Sequence, residues 1–330
     1  MAGRKNQPPD CAARRMLLQT GLVTASIQAS APGSLMIMGE HAVVHGRRAL
    51  VAAVNRRIRV RLEPRDDGQV RIVSALGEVA MPLERLKSPA PFRFVMAMLR
   101  RYEDRLPSGF DLTIESDFPP DVGLGSSAAV TVAAGAVLER WTRARRPGPW
   151  DLFVAGREVI REVQGLGSGA DVAASVFGGL LLYRAAPAQV QRLKRTLPLV
   201  VLYSGGKTPT PEVVRRVQRS MKTQPVFFGD LFDLMDKGSA AGFQALRAGA
   251  LKRFGELLNI QQGLMESIGV SNARMAELVY ALRGEPGILG SKISGSGLGD
   301  CVIGLGRSAR TDWPGPRLEA EISLEGVKVE

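Results

Sequence analysis

Pro119-Pro120-Asp121-Val122-Gly123-Leu124-Gly125-Ser126-Ser127-Ala128 leads from a proline-rich turn into an apolar run, Ala128–Leu138. Gly123 and Gly125 lack the Cβ that would hold a ligand away, so main-chain N–H groups there are open to close approach. Ser126 and Ser127 then open a helix. A helix N-terminus, with its unpaired N–H groups and positive dipole end, is a natural anion site. A serine hydroxyl in that place is also within reach of a phosphate-bound magnesium ion. A plain turn and N-cap would use the same residue types, so the segment needs company before it signifies a polyphosphate site. It fits the loose dinucleotide form G-x-G-x-x-A, as does Gly165–Ala170. Neither follows a strand directly in a parallel βαβ pattern with an acidic residue at the usual distance. A Walker loop is absent: Gly206-Lys207-Thr208 ends like one, but Val201 stands where the first glycine must be.

Two further glycine-rich segments supply the company. Pro32-Gly33-Ser34 through Gly39-Glu40-His41-Ala42-Val43-Val44-His45-Gly46 holds both histidines of the chain. Their i,i+4 spacing would pair them on a metal if the segment were helical, but a third convincing ligand is missing, so a polar substrate pocket is the better functional expectation and two hydrogen-bonded structural histidines the plainer one. Ser294-Gly295-Ser296-Gly297-Leu298-Gly299-Asp300-Cys301 again alternates glycines with hydroxyls ahead of an apolar run. Such a loop admits an anion to the backbone, although hairpins use similar glycines.

Composition narrows the classes. Hydrophobic residues are 45% and charged residues 23% of 330, an ordinary globular balance. Lys and Arg number 44 against 32 Asp and Glu, giving a net charge of +12, and nine of the 44 are lysines. The basic residues are scattered and aromatics are 5%, so no basic footprint for nucleic acid is drawn. Two cysteines, Cys11 and Cys301, exclude a cysteine zinc cluster and allow at most one disulfide, which favours a reducing compartment. No run of about 18 apolar residues occurs to span a membrane as a helix. A cytoplasmic protein is expected, with no membrane or nucleic-acid partner.

Periodicity divides the chain. Residues 1–25 carry Arg4, Lys5, Pro8, Pro9, Arg14 and Arg15 with no apolar period and are expected to be a disordered head. From Ser26, strand patterns fall at Leu35–Met38, Ala49–Val54, Ile58–Leu62, Val70–Val73 and Phe110–Ile114, and helical spacing at Phe92–Tyr102, Ala128–Leu138 and Asp151–Val163. Leu180–Tyr183 and Leu197–Tyr203 read as strands with a seam near Pro187. Residues 226–283 are mostly helical, and Cys301–Leu305 and Glu321–Val329 read as closing strands. Strands and helices are mixed on both sides of the seam, so the class is α+β with domains at 26–187 and 188–330.

In this order and spacing, the three glycine-rich segments resemble the three motifs of the GHMP kinases, a superfamily that includes galactokinase, homoserine kinase, mevalonate kinase and phosphomevalonate kinase. The likeness runs from about Ser26 to the C-terminus. Gly39–Val44 is most similar to the mevalonate kinases; Val163–Ser175 and Gly299-Asp300-Cys301 lean toward the phosphomevalonate kinases. The resemblance implies an N-terminal ribosomal-protein-like α/β domain, a C-terminal ferredoxin-like domain and an active site in the cleft between them. It implies ATP-dependent phosphorylation of the primary hydroxyl of mevalonate, giving phosphomevalonate and ADP, with ATP and Mg2+ as cofactors. Phosphomevalonate as acceptor and a catalytically impaired nucleotide-binding homologue are the alternatives. A homodimer is left open.

Carried over residue by residue, the resemblance puts Pro120, Gly123, Leu124, Gly125, Ser126, Ser127 and Ala128 around the ATP phosphates, with Ser127 on Mg2+. Asp171 matches the catalytic aspartate that takes or orients the proton of the attacking hydroxyl. Glu40, His41, Thr208, Thr210, Gly295, Ser296 and Gly297 would contact the substrate. Two positions depart from the pattern. Ser34 stands at a catalytic position where mevalonate kinases usually carry lysine, so that positive charge is forfeited unless Lys207, Lys292 or an arginine reaches in. Ile160 stands where a magnesium glutamate is usual, and Glu162, two residues on, is the nearest substitute ligand. A two-residue step turns a helical side chain by ~200°.

Overall fold

The first strand, β1 (Ile27–Met38), runs unbroken through Pro32-Gly33, with register shifts against its neighbour at Pro32/Ser34 and Met36/Met38. These irregularities belong to the stretch that carries the site, where an extra residue re-aims a side chain. The computed structural model describes residues 25–143 and 147–330, so the N-terminal head and Cys11 lie outside the described residues. β2 (Arg48–Arg65) is one strand of 18 residues, where the alternation predicted two. Its first half pairs with β6 (Leu180–Ala185) and its second with β5 (Gly109–Ser116). The polar Asn55-Arg56-Arg57 that breaks the sequence pattern sits where the neighbour changes.

The larger sheet also includes β3 (Gln69–Ser74), β4 (Gly77–Pro82), β7 (Ala188–Leu193) and the C-terminal β12 (Lys328–Val329), in the order β12-β1-β2-β5-β3-β4 with β6 and β7 branching from β2. β6 and β7 form a hairpin across Pro187, with Ala185 opposite Ala188. The change of sheet therefore comes after Leu193, later than the seam expected at Pro187. The chain also returns to this sheet at its end: Ala29 pairs with Val329, and Val54 bridges Ile322. Of the expected strand Glu321–Val329, only Lys328–Val329 is a regular strand.

Helices are layered over this sheet. α1 (Arg93–Arg100) buries Val95 to Leu99, α2 (Ser126–Arg143) packs on β1 and β2, and α3 (Pro149–Gln164) packs on α1 and α2. Trp141 and Phe110 meet edge to face at 5.3 Å beneath α2. Each such fully buried side chain contributes roughly 1.5–3 kcal/mol. The short α4 (Ala170–Phe177) is fixed to β1 by Ser175 Oγ, which donates to the Pro32 carbonyl at 2.8 Å.

The second sheet holds β8 (Leu199–Tyr203), β9 (Ile288–Ser294), β10 (Cys301–Gly306) and β11 (Arg317–Leu318), all antiparallel, in the order β11-β8-β10-β9. Counted along the chain this is 4-1-3-2, the order of a ferredoxin-like sheet. Between β8 and β9 lie four helices, α5 (Thr210–Thr223), α6 (Pro225–Ala248), α7 (Leu251–Ser267) and α8 (Ala273–Arg283). The two sheets are not insulated: Phe243, Phe254, Leu258, Cys301 and Ile303 share one buried cluster with the residues of β1 and β2. The α+β class with two sheet-based parts stands.

Many arginines are spent on neighbouring acids: Arg48 on Asp236, Arg59 on Asp117, and Arg65 on both Asp67 and Asp111. No helix of the described residues is long and apolar enough to cross a membrane.

Candidate active site

Strand β1, the turn before α2, the turn before α4 and the two glycine-containing loops flanking β10 and β8 converge on one cleft. It is lined by Pro120, Gly123, Gly125, Ser126, Ser127 and Ala128 on one wall. Asp171, Lys207, Thr210, Gly295, Ser296 and Asp300 line the other sides, with Glu40 and His41 at one end.

The convergence is made by missing side chains. A Cβ on Gly125 would stand 2.0 Å from Ser34 Oγ, and one on Gly33 would stand 2.5 Å from the Leu124 carbonyl oxygen. Gly125 has φ +67°, a left-handed conformation that also favours glycine. The two segments therefore lie against each other, and Ser34 N–H donates to the Leu124 carbonyl at 2.9 Å. Leu124 is buried and serves the loop through that carbonyl; it does not line the cleft. α2 then begins, with Ala128 and Ala129 N–H both donating to the Gly125 carbonyl. The N–H groups ahead of them at Ser126 and Ser127 have no acceptor one turn back, as at any helix start.

Asp171 lies in the first turn of α4, after Gly169 at φ +88°. Ser34 Oγ–H donates to Asp171 Oδ1 at 2.7 Å. Oδ2 receives no hydrogen bond from the described residues. Burial pushes the Asp171 carboxyl above the usual carboxylate range, opposed by the Ser34 hydroxyl and the Lys207 ammonium. The result is a carboxylate with one oxygen oriented by the protein and the other available, more basic than a solvated aspartate.

Glu40 and His41 have different fates. The Glu40 carboxylate is buried and paired with the Lys292 ammonium, itself fully buried on β9 and also donating to the Ile293 carbonyl. Burial pushes the Lys292 ammonium down, and Glu40 opposes this. Lys292 is thus committed to Glu40 and does not line the cleft. His41 sits at φ 60°, ahead of the single 3-10 turn Ala42–His45. Its pKa is lowered to about 4, chiefly by burial, with a small push from His45 and an opposing bond to Ser296. The ring is neutral near pH 7, so Nε2–H donates to the Ser296 carbonyl at 2.8 Å and Nδ1 is left as an acceptor. His45 turns away and stacks on Phe232 with centroids 4.7 Å apart. The two rings thus have separate partners, and among the described residues no group of three or more His, Cys, Asp and Glu is placed to hold a metal ion.

Several expected contacts are placed elsewhere. Thr208 donates through Oγ1 to the Leu298 carbonyl at 2.7 Å and, like Gly297, ties loops together without lining the cleft. A Cβ on Gly297 would stand 2.3 Å from the Val270 carbonyl oxygen, so that glycine serves a close backbone approach. Thr210, Gly295 and Ser296 do line the cleft. Glu162 corrects an expectation: it is exposed and off the cleft, while Ile160 and Gln164 on the same helix line it. The turn of the helix between residues 160 and 162 is the cause. Glu158 also leaves, pairing with Arg101.

Two more charged residues line the cleft: Asp300, which the sequence did not single out, and Lys207, one of the cations expected to reach in. Asp300 is buried with φ 65°, and its Oδ1 has no hydrogen-bond partner among the described residues. Burial raises its pKa to about 6, with Lys207 opposing and Asp171 and Asp121 adding to the rise. Lys207 Nζ lies 3.8 Å from that Oδ1. Only the pairing of β8 with β10 brings residues 207 and 300 together.

The chain is also similar in sequence and fold to known proteins. Residues 93–179 match the family described as GHMP kinases N terminal domain, and residues 243–312 match GHMP kinases C terminal. The chain is 36% identical over 306 residues to the mevalonate kinase of Archaeoglobus fulgidus, covering 92% of this chain and 99% of that protein. It is 33% identical over 319 residues to the mevalonate kinase of Aeropyrum pernix, covering 92% and 98%. Among solved structures, L. major mevalonate kinase in complex with R-mevalonate superposes with a TM-score of 0.73 at 25% identity, covering 89% of this chain and 94% of that one.

Proposed function

The chain belongs to the GHMP kinase family, and from that premise we propose that it transfers the terminal phosphoryl group of ATP to the primary hydroxyl of mevalonate, giving phosphomevalonate and ADP. The observation that carries this is the placement of the Asp171 carboxylate on the cleft that the Gly123–Ser127 loop also lines. The loop's main-chain amides and the start of α2 hold the phosphates. Ser34 fixes one oxygen of Asp171 and leaves the other to accept the hydroxyl proton as the oxygen–phosphorus bond forms. His41 Nδ1 and the Ser296 hydroxyl, which has no hydrogen-bond partner among the described residues, supply neutral polar contacts for the acceptor. The family relatives named above act on mevalonate, and the neutral His41 suits a hydroxyl-bearing acceptor better than a phosphorylated one.

Magnesium fits the residues present. Ser127 offers a hydroxyl on the phosphate wall, and the unpartnered Asp300 Oδ1 is an oxygen of the kind a hard divalent cation takes. These two would hold Mg2+, which supplies charge neutralisation at the phosphates. A cytoplasmic setting, where ATP is available, goes with this activity.

ADP release on an acceptor panel with Mg-ATP tests the proposal. Turnover is expected with mevalonate and not with phosphomevalonate. Asp171→Asn should lower kcat by about 10²–10⁴-fold with nucleotide binding kept. Undiminished turnover in that variant would remove the assigned role.

A further inference from the structure

We propose that Lys207, carried by the loop between β8 and α5, is the cation that stabilises the transferring phosphoryl group. This rests on the phosphoryl-transfer activity proposed above, but not on the identity of the acceptor. The first support is a census of charge. Asp171 and Asp300 bring two carboxylates to the cleft, and Glu40 is already neutralised from behind by Lys292. Among the described residues lining the cleft, Lys207 is the single lysine or arginine. A nucleotide triphosphate adds several negative charges to this space, and its reacting end accumulates charge that a preorganised cation stabilises strongly.

The second support is how the residue is held. The backbone of Lys207 is pinned on both sides. Asp300 N–H donates to the Gly206 carbonyl at 2.9 Å, and Ser204 N–H donates to the Asp300 carbonyl at 2.9 Å. Thr208 is tied to Leu298. Gly299 makes the close approach possible, since a Cβ there would stand 3.0 Å from Lys207 Cα and 2.8 Å from the Gly206 carbonyl oxygen. The side chain, in contrast, is not committed. Its ammonium is 3.8 Å from Asp300 Oδ1, an ion pair without a hydrogen bond, and about a third of the side chain is exposed at 31%. A fixed Cα with an ammonium held only by a loose ion pair suits a phosphate contact. Lys292 has the reverse character, being buried and fully engaged.

The third support is reach. The charge of Lys207 is felt at the Asp171 carboxyl, where it opposes the effect of burial. Lys207 therefore stands near enough to act on the groups around the attacking hydroxyl. Ser34, which holds Asp171 by a neutral hydrogen bond, cannot supply a positive charge.

The test compares Lys207→Ala and Lys207→Arg with the unaltered enzyme. Lys207→Ala is expected to lower kcat by about 10²–10³-fold at saturating ATP and mevalonate, with KM for mevalonate changed by less than about threefold. Lys207→Arg should recover at least about tenfold of that loss. A second measurement needs no acceptor: calorimetric affinities for β,γ-imido-ATP and ADP. The unaltered enzyme should prefer the triphosphate analogue, and Lys207→Ala should lose that preference. If Lys207→Ala turns over within about threefold of the unaltered enzyme, or keeps its preference for the triphosphate, the inference falls. Because the calorimetry is independent of mevalonate, an inert enzyme in the first assay would sink the choice of acceptor while leaving Lys207 to be decided by the second.

Discussion

His41 occupies a backbone conformation, φ 60°, that few residues other than glycine adopt, and its side chain is largely buried at the end of the cleft. Its pKa of about 4 in the fold, against 6.5 for the unperturbed ring, is a statement about stability. Between those values the unfolded chain binds a proton that the folded chain does not. Stability is therefore full above about pH 6.5 and falls as pH drops toward 4, by roughly 3 kcal/mol across the window. His41→Asn should flatten that part of the curve, as read by urea unfolding at pH 7.5 and pH 4.5. An unchanged slope would mean that the imidazole is solvated. The residue scale also marks where the sequence was legible. Asp171, Glu40 and His41 lie in local motifs and could be named from the chain alone, whereas the pairing of Glu40 with Lys292 spans 252 positions.

The glycine-rich elements were legible for the same local reason: a turn that needs glycine shows it as glycine. Gly125→Ala sets a Cβ against Ser34 Oγ and forces a left-handed residue, which costs about 1–3 kcal/mol. It should also displace the hydroxyl that orients Asp171. A lower melting temperature with loss of most activity is expected, and a fully active variant would show that the loop and β1 are not in register as described. What failed at this scale failed through packing. Glu162 has the right chemistry on the wrong face of α3. β4 (GEVAMP) and β9 (ILGSKIS) escaped notice because one is mostly exposed and the other hides a lysine in a buried strand. A buried Lys292 reads as a polar break until its partner is known.

At the scale of the molecule, the Glu40–Lys292 pair joins the segment after β1 to β9 of the other sheet, across the shared core. Removing one partner leaves a buried charge alone, at a cost of about 3–5 kcal/mol. Lys292→Met should therefore destabilise the protein strongly, and Lys292→Met combined with Glu40→Gln should recover most of the loss. Denaturant midpoints of the two variants check this, and equal midpoints would deny that the two charges depend on each other. The same long range is why the sequence could name Lys207 only as one cation among several and did not mark Asp300: the two meet only once β8 and β10 have paired.

The return of Lys328–Val329 to the edge of β1, and the bridge from Ile322 to Val54, set an order on biosynthesis. The segment that covers this end of the β1 edge is synthesised long after β1 itself. On the growing chain, the backbone groups of Ala29 and Ser30 wait for that partner while some 300 residues are added, and an edge left unpaired in that interval is open to a neighbouring chain.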